Sequence, residues 1–255
     1  MSIQSLPTMH SSPPETDFLA NLIETGNSRR VMEGEFSWTP ASNEELKEAV
    51  DLFCSNRRAE AISRYGFPCN WDTSLITDMS NLFAGKSNFN EPIGTWNTEN
   101  VIKMTGMFSD ADSFNRDISG WNTKKVTDME GMFAGAYRFN QQIGLWNTEN
   151  VETMRNMFYL CGFNQDISGW NTSKVTDMAF MFSAADFNQD ISDWEVSSVV
   201  TMECMFANAT MFQGSSIADW NVSNNICCIT EMFSGARSDP PTWGMECKKQ
   251  IFIRF

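Results

Sequence analysis

The sequence contains a single histidine, His10, set among Ser, Pro and Thr residues. Mechanisms that need a buried imidazole base or several histidine ligands to a metal are therefore excluded. Basic residues are also few: 18 Lys and Arg stand against 32 Asp and Glu, a formal charge of −14. A surface of that sign repels phosphate, which disfavours nucleic acid and anionic membranes as partners. No run of 18 or more apolar residues occurs, and the first residues lack a basic stretch followed by an apolar one. Neither a spanning helix nor an export signal is read, so no membrane insertion is expected and an intracellular location is favoured over the cell surface. The seven cysteines are odd in number, unevenly spaced and without a C-x-x-C, unlike a disulfide or metal framework. Reduced thiols, no metal and no cofactor are the expectation. Tyrosine is scarce at 3, against 9 Trp, 20 Phe and 17 Met, as if a few apolar positions were filled repeatedly by the same residue.

The tryptophans confirm repetition. Trp71, Trp96, Trp121, Trp146, Trp170, Trp194 and Trp220 are separated by 25, 25, 25, 24, 24 and 26 residues. A fixed period of this size means stacked structural units. Val or Ile follows each of the first six tryptophans at five residues (Ile76, Val101, Val126, Val151, Val175, Val199) and Met at eight. An apolar pair comes next, from Leu82-Phe83 to Met205-Phe206, then Phe-Asn, then Ile three residues before the next Trp. A seventh unit, shifted by one residue at Met232-Phe233, stops near Ala236.

Apolar residues at offsets 5, 8, 11 and 12 fit one face of a short helix, with Ser or Thr ahead of the Val as its cap. The segment I-x-x-W-x-T alternates as a short half-buried strand does. Each unit then supplies one strand, which pairs with its neighbours into a parallel ribbon, and one short helix on the opposite side. The Met and Phe positions recur in every unit and read as core. The Asn of Phe-Asn reads as an internal ladder serving the backbone of the next coil.

The stretch I-S-G-W-N-T-x-x-V-T-D-M-x-x-M-F…F-N-Q-D-I, at Ile167 to Phe182 and Phe187 to Ile191, resembles the unit of BspA-type leucine-rich-repeat surface proteins. The resemblance covers residues 71–236 in seven tandem copies. It implies a leucine-rich-repeat-like, right-handed α/β solenoid of 24–26-residue units that binds other proteins, commonly in adhesion at a cell surface. It implies no catalytic motif. No anchor or wall-sorting tail is visible here.

Residues 1–36 are polar and aperiodic and read as a flexible arm, with Phe18, Leu19, Leu22 and Ile23 as the alternative of a short helical anchor on a partner. Residues 37–70 read as a helical N-terminal cap: Ser42-x-x-Glu45 is a capping box, and Leu46, Val50 and Phe53 share a face. Residues 237–255 form a C-terminal cap or tail, whose Ile251, Phe252, Ile253 and Phe255 either close the last coil or add a strand to a partner's sheet.

The position after each Trp (Asp72, Asn97, Asn122, Asn147, Asn171, Glu195, Asn221) faces outward in such a ribbon and is the candidate contact row. The residues three and four after each Trp vary beside it, as outward positions of repeat binders do. The expected function is non-enzymatic protein binding, as scaffold, adhesin or accessory subunit, toward a partner with a basic surface. The alternative is a permanent subunit of a larger assembly, held by its termini. A thiol enzyme built on Cys227-Cys228, a calcium array on the recurring Asp residues and an ice-binding Asn array are remote, because activating groups, clustered oxygen ligands and outward Thr are all missing.

Overall fold

The computed structural model describes residues 38–222 and 228–237. The arm, with Phe18 and Leu22, and the tail residues Ile251, Phe252, Ile253 and Phe255 lie outside the described residues, as does Cys227.

Helix α1 spans Asn43–Phe53 and α2 spans Arg58–Tyr65. At the start of α1 the Ser42 hydroxyl accepts from Glu45 N at 3.2 Å, and the Glu45 carboxylate accepts from Ala41 N at 2.6 Å. Donors that a helix start leaves open are thereby satisfied. Leu46, Ala49, Val50 and Phe53 form the buried face. The pair covers the first repeat unit: the Trp71 indole is fully buried, with ring centroids of Trp38, Phe53 and Tyr65 at 5.3, 6.3 and 6.5 Å. Trp38 also pairs its backbone with Trp71 in parallel, through Asp72 N donating to Trp38 O.

From Trp71 onward each unit is one coil laid against the next. A single file of parallel bridges runs Asp78, Lys103, Asp128, Thr153, Asp177, Thr201, Cys228. Around each bridge, alternate amides cross to the neighbour: Met79, Asn81, Phe83 and Gly85 donate to the carbonyls of Lys103, Thr105, Met107 and Ser109 at 2.7–2.9 Å. The intervening amides of Leu82, Ala84 and Lys86 turn back to Met79, Asn81 and Phe83 within the same coil.

The alternation is produced by two residues per coil in the left-handed region. These are Asn81 and Gly85, Gly106 and Asp110, Gly131 and Gly135, Asn156 and Leu160, Phe180 and Ala184, Cys204 and Asn208, Glu231 and Gly235. Each reverses the local curl and aims the next amide across the gap. A helix needs every residue right-handed, so the short helices expected at this position are replaced by turns. Among the described residues of the coils the helical elements are confined to a 3-10 turn at Ser215–Ile217.

The expected strand is corrected too. The parallel pairing falls on T-D-M and its equivalents, seven residues after the Trp (eight in the last coil), and involves one bridge per coil rather than a ribbon of I-x-x-W-x-T strands. At I-x-x-W-x-T the coils are joined by side chains instead. Thr73, Thr98, Thr123, Thr148 and Thr172 are buried and donate to the carbonyls of Asn97, Asn122, Asn147, Asn171 and Glu195 in the next coil at 2.8–3.0 Å.

The interior consists of files of identical side chains. Phe83, Phe108, Phe133, Phe158, Phe182, Phe206 and Phe233 follow one another at 5.3–5.8 Å between centroids, nearly parallel. A second file, Phe89 to Phe187, lies about 4 Å from the first within each coil. Every indole N–H from Trp96 to Trp220 donates to a carbonyl of the preceding coil at 2.8–3.1 Å: Pro68, Ile93, Ile118, Ile143, Ile167 and Ile191. The buried polar end of each tryptophan is thus satisfied by the chain beneath it.

Non-glycine residues in the left-handed region cost on the order of 1–3 kcal/mol, least for Asn and Asp. Ala184 sits at φ 53, while Gly135 sits at φ 70, with Asp110 Oδ1 where a Cβ would go. Ala184→Gly is expected to stabilise the protein by up to about 1 kcal/mol and Gly135→Ala to destabilise it by about 1–3 kcal/mol. Urea unfolding of the two variants checks this: opposite signs are expected, and shifts of the same sign contradict the left-handed assignment.

Candidate functional site

The candidate row after the tryptophans lies at the surface, but its side chains are engaged. The Oδ1 atoms of Asp72, Asn97, Asn122, Asn147 and Asn171 accept from the backbone N–H two residues on, at 2.9–3.1 Å, and Glu195 Oε1 does the same for Ser197 N. The equivalent donor for Asn221 is residue 223, outside the described residues. The row is therefore a set of turn-forming acceptors, with the amide nitrogens of Asn97, Asn122, Asn147 and Asn171 left for solvent or a partner.

The Phe-Asn asparagines form a ladder on a second side. Asn90, Asn115, Asn140, Asn164 and Asn188 each accept, through Oδ1, the backbone N–H of the equivalent residue one coil later, at 2.8–3.0 Å. Gln141, Gln165 and Gln189 add side-chain donors to the same oxygens. Beside the W-N-T row, Lys125 and Lys174 donate to Asn100 and Asn150. Most repeated polar groups thus serve stacking, which the spacing alone did not reveal for Thr, Lys or Gln.

The turn side, carrying the left-handed residues, is different. It bears two clefts of about 430 and 390 Å³ that share Asn156 and Tyr159. The first is lined by Gly106, Asp110, Glu130, Gly135 and Leu160, and the second by Arg155, Phe180, Cys204, Asn208 and Glu231. The Arg155 guanidinium lies 5.4 Å from the Phe180 ring centroid, with Nη1 3.5 Å from Asp177 Oδ2. Tyr159, which lines both clefts, is exposed. This side was not anticipated, since the helical reading of the segment hid its left-handed residues.

The reactive groups are muted. Burial drives the Cys161 thiol up to about 12 and that of Cys54 to about 11, and raises Cys69 and Cys204 as well. A thiol held protonated is a poor nucleophile. Cys228 Sγ faces Thr230 Oγ1 at 3.5 Å, and its neighbour Cys227 is outside the described residues. Hydrogen bonds from Ser119, Ser168 and Ser192 hold the Asp117, Asp166 and Asp190 carboxyls below their ordinary range. These are exposed turn residues, and no group of three or more His, Cys, Asp or Glu able to hold a metal occurs among the described residues. No helix among them is long and apolar enough to cross a membrane.

A family model described as "Mycoplasma protein of unknown function, DUF285" matches residues 53–162 and again 141–242. The chain belongs to the DUF285 family. The two DUF285 matches overlap within the coils, as expected where one model can be laid on a tandem array in more than one register. Among curated proteins and solved structures, nothing matches the chain.

Two outcomes follow from the titrating groups. Thiol labelling at pH 8 is expected to modify Cys161 only on unfolding; rapid labelling in the native protein contradicts its burial. Because folding depresses Asp117, Asp166 and Asp190, their stabilisation is complete above the ordinary Asp pKa and lost as pH falls through the lowered folded values. Carboxyl NMR titration is expected to give midpoints below the ordinary Asp range, and midpoints at or above it contradict the hydrogen-bonded turns.

Proposed function

We propose that the chain is a non-enzymatic protein-binding module: a leucine-rich-repeat-like, right-handed solenoid of BspA type, serving as scaffold, adhesin or accessory subunit. The observation that carries this reading is where the repeated polar groups go. Thr, Asn, Gln and indole N–H are bonded between coils, so the repeat is devoted to a long rigid scaffold, and what differs from coil to coil lies on its surface. Variation on an invariant frame is how repeat proteins present a contact surface. The raised thiols and the single histidine support a role without chemistry of its own. The charge of −14 supports a partner with a basic surface, reached by electrostatic steering and held more weakly as salt rises.

Affinity capture with the full chain from native extract is expected to retain a basic protein at low salt and release a large part of it by about 0.5 M salt, where screening shortens to a few ångströms. Retention of no protein at either salt concentration contradicts the reading.

A further inference from the structure

The left-handed positions are filled unevenly. In the first three coils they hold only Asn, Asp and Gly; the fourth and fifth hold Leu160 at φ 52 and Phe180 at φ 58. Stacking does not require these side chains, because Gly135 and Gly131 occupy the same two positions one and two coils earlier. Nor does the core take them in, since both are only half-buried while the phenylalanine files beside them are closed. Large apolar residues kept in a strained conformation without being used for packing mark a place where the fold yields to another requirement.

The surroundings identify that requirement. Tyr159, 37% exposed, stands where the two clefts meet, and Arg155 lies over the Phe180 ring. Exposed aromatics with Arg are the composition of interface centres. Glu130 lines the first cleft and Glu231 the second. Neither has an ion-pair partner among the described residues, whereas Arg155 is already met by Asp177. The uncompensated charge of the groove is therefore negative on both sides of Leu160 and Phe180, from Asp110 and Glu130 on one side and Glu231 on the other.

We propose that the turn side of the middle coils is a docking groove for an extended peptide segment of a partner protein, with an apolar residue seated against Tyr159, Leu160 and Phe180 and a Lys or Arg on each side of it, toward Glu130 and toward Glu231. Glu130 and Glu231 are four coils apart in the chain; at about 4.8 Å per coil and 3.3 Å per extended residue, the two cations are spaced by roughly six residues. The segment docks through its side chains, since the backbone amides of Tyr159, Leu160 and Phe180 at its centre are already bonded within the coil or to the next one. This proposal rests on the protein-binding reading and names its site and the chemistry of its partner.

The probe is a phage-displayed library of random dodecapeptides selected on the immobilised full chain, followed by titration of the selected peptides in solution. Selected peptides are expected to carry an apolar residue between two basic ones about six residues apart. Glu130→Lys with Glu231→Lys is expected to weaken their binding at least tenfold. Leu160→Gly and Phe180→Gly are expected to weaken it at least fivefold while leaving the melting temperature unchanged or raised, a combination that a merely structural role does not produce. Selected peptides without basic residues, an empty selection, or binding unchanged in all these variants overturns the groove. Dimerisation of the chain that the charge reversals abolish overturns the peptide assignment in favour of a second copy. If native protein is still captured by the groove variants, the site alone is wrong; if the unaltered chain captures none, the protein-binding reading fails with it.

Discussion

Among the described residues, the indole and hydroxyl groups that a coil buries and its alternate backbone amides are answered by the neighbouring coil or, in the first coil, by the N-terminal cap, and the rest of the structure depends on that register. The indole N–H reaches a carbonyl beneath it, the Thr hydroxyl a carbonyl above, and alternate backbone amides cross the gap. A coil by itself would leave these groups unpaired in an apolar interior, at roughly 1–3 kcal/mol each. Stability is therefore shared between neighbours, as in other repeat arrays. The first coil meets the same need with α1, α2 and Trp38 instead of another coil.

The same register explains the composition. Rings of one size stack at a constant separation, so Phe, Trp and Met recur at fixed positions and a larger or smaller residue would leave a void or a clash one coil away. Deeply buried Phe side chains are worth about 3–5 kcal/mol each when truncated to Ala. The five surface ion pairs among the described residues contribute little by comparison. With the interior and the stacking groups fixed, adaptation is left to the surface, and the turn side is where it departs furthest from what folding prefers: Leu160 and Phe180 stand where Gly, Asn and Asp stand in earlier coils.

Period and core were legible because they depend only on recurrence, which survives any local geometry. The helix was not. Apolar steps of three, three and one suit a helix, yet they equally suit a chain that turns back on itself twice per coil. The deciding signal was the Gly, Asn and Asp at Asn81, Gly85, Gly106, Asp110, Gly131 and Gly135, a pattern of left-handed positions that Leu160, Phe180 and Cys204 obscure in the later coils. Likewise W-N-T looked like a strand with its Asn outward, but there the Thr hydroxyl bridges the coils and the backbone pairing falls on T-D-M. The row after the tryptophans lies at the surface, while its engagement in turns depends on backbone direction that spacing does not encode. The clefts of the turn side were illegible for the same reason.

The most direct measurement of the shared register is deuterium exchange at the indole nitrogens, whose NMR signals are resolved from the backbone. If each tryptophan donates to the coil beneath it, the indole protons of Trp121, Trp146, Trp170 and Trp194 persist in D₂O far longer than those of an unfolded chain, and they are lost together as the protein is brought toward global unfolding. Indole protons that all disappear within the dead time under native conditions would contradict the stacked interior.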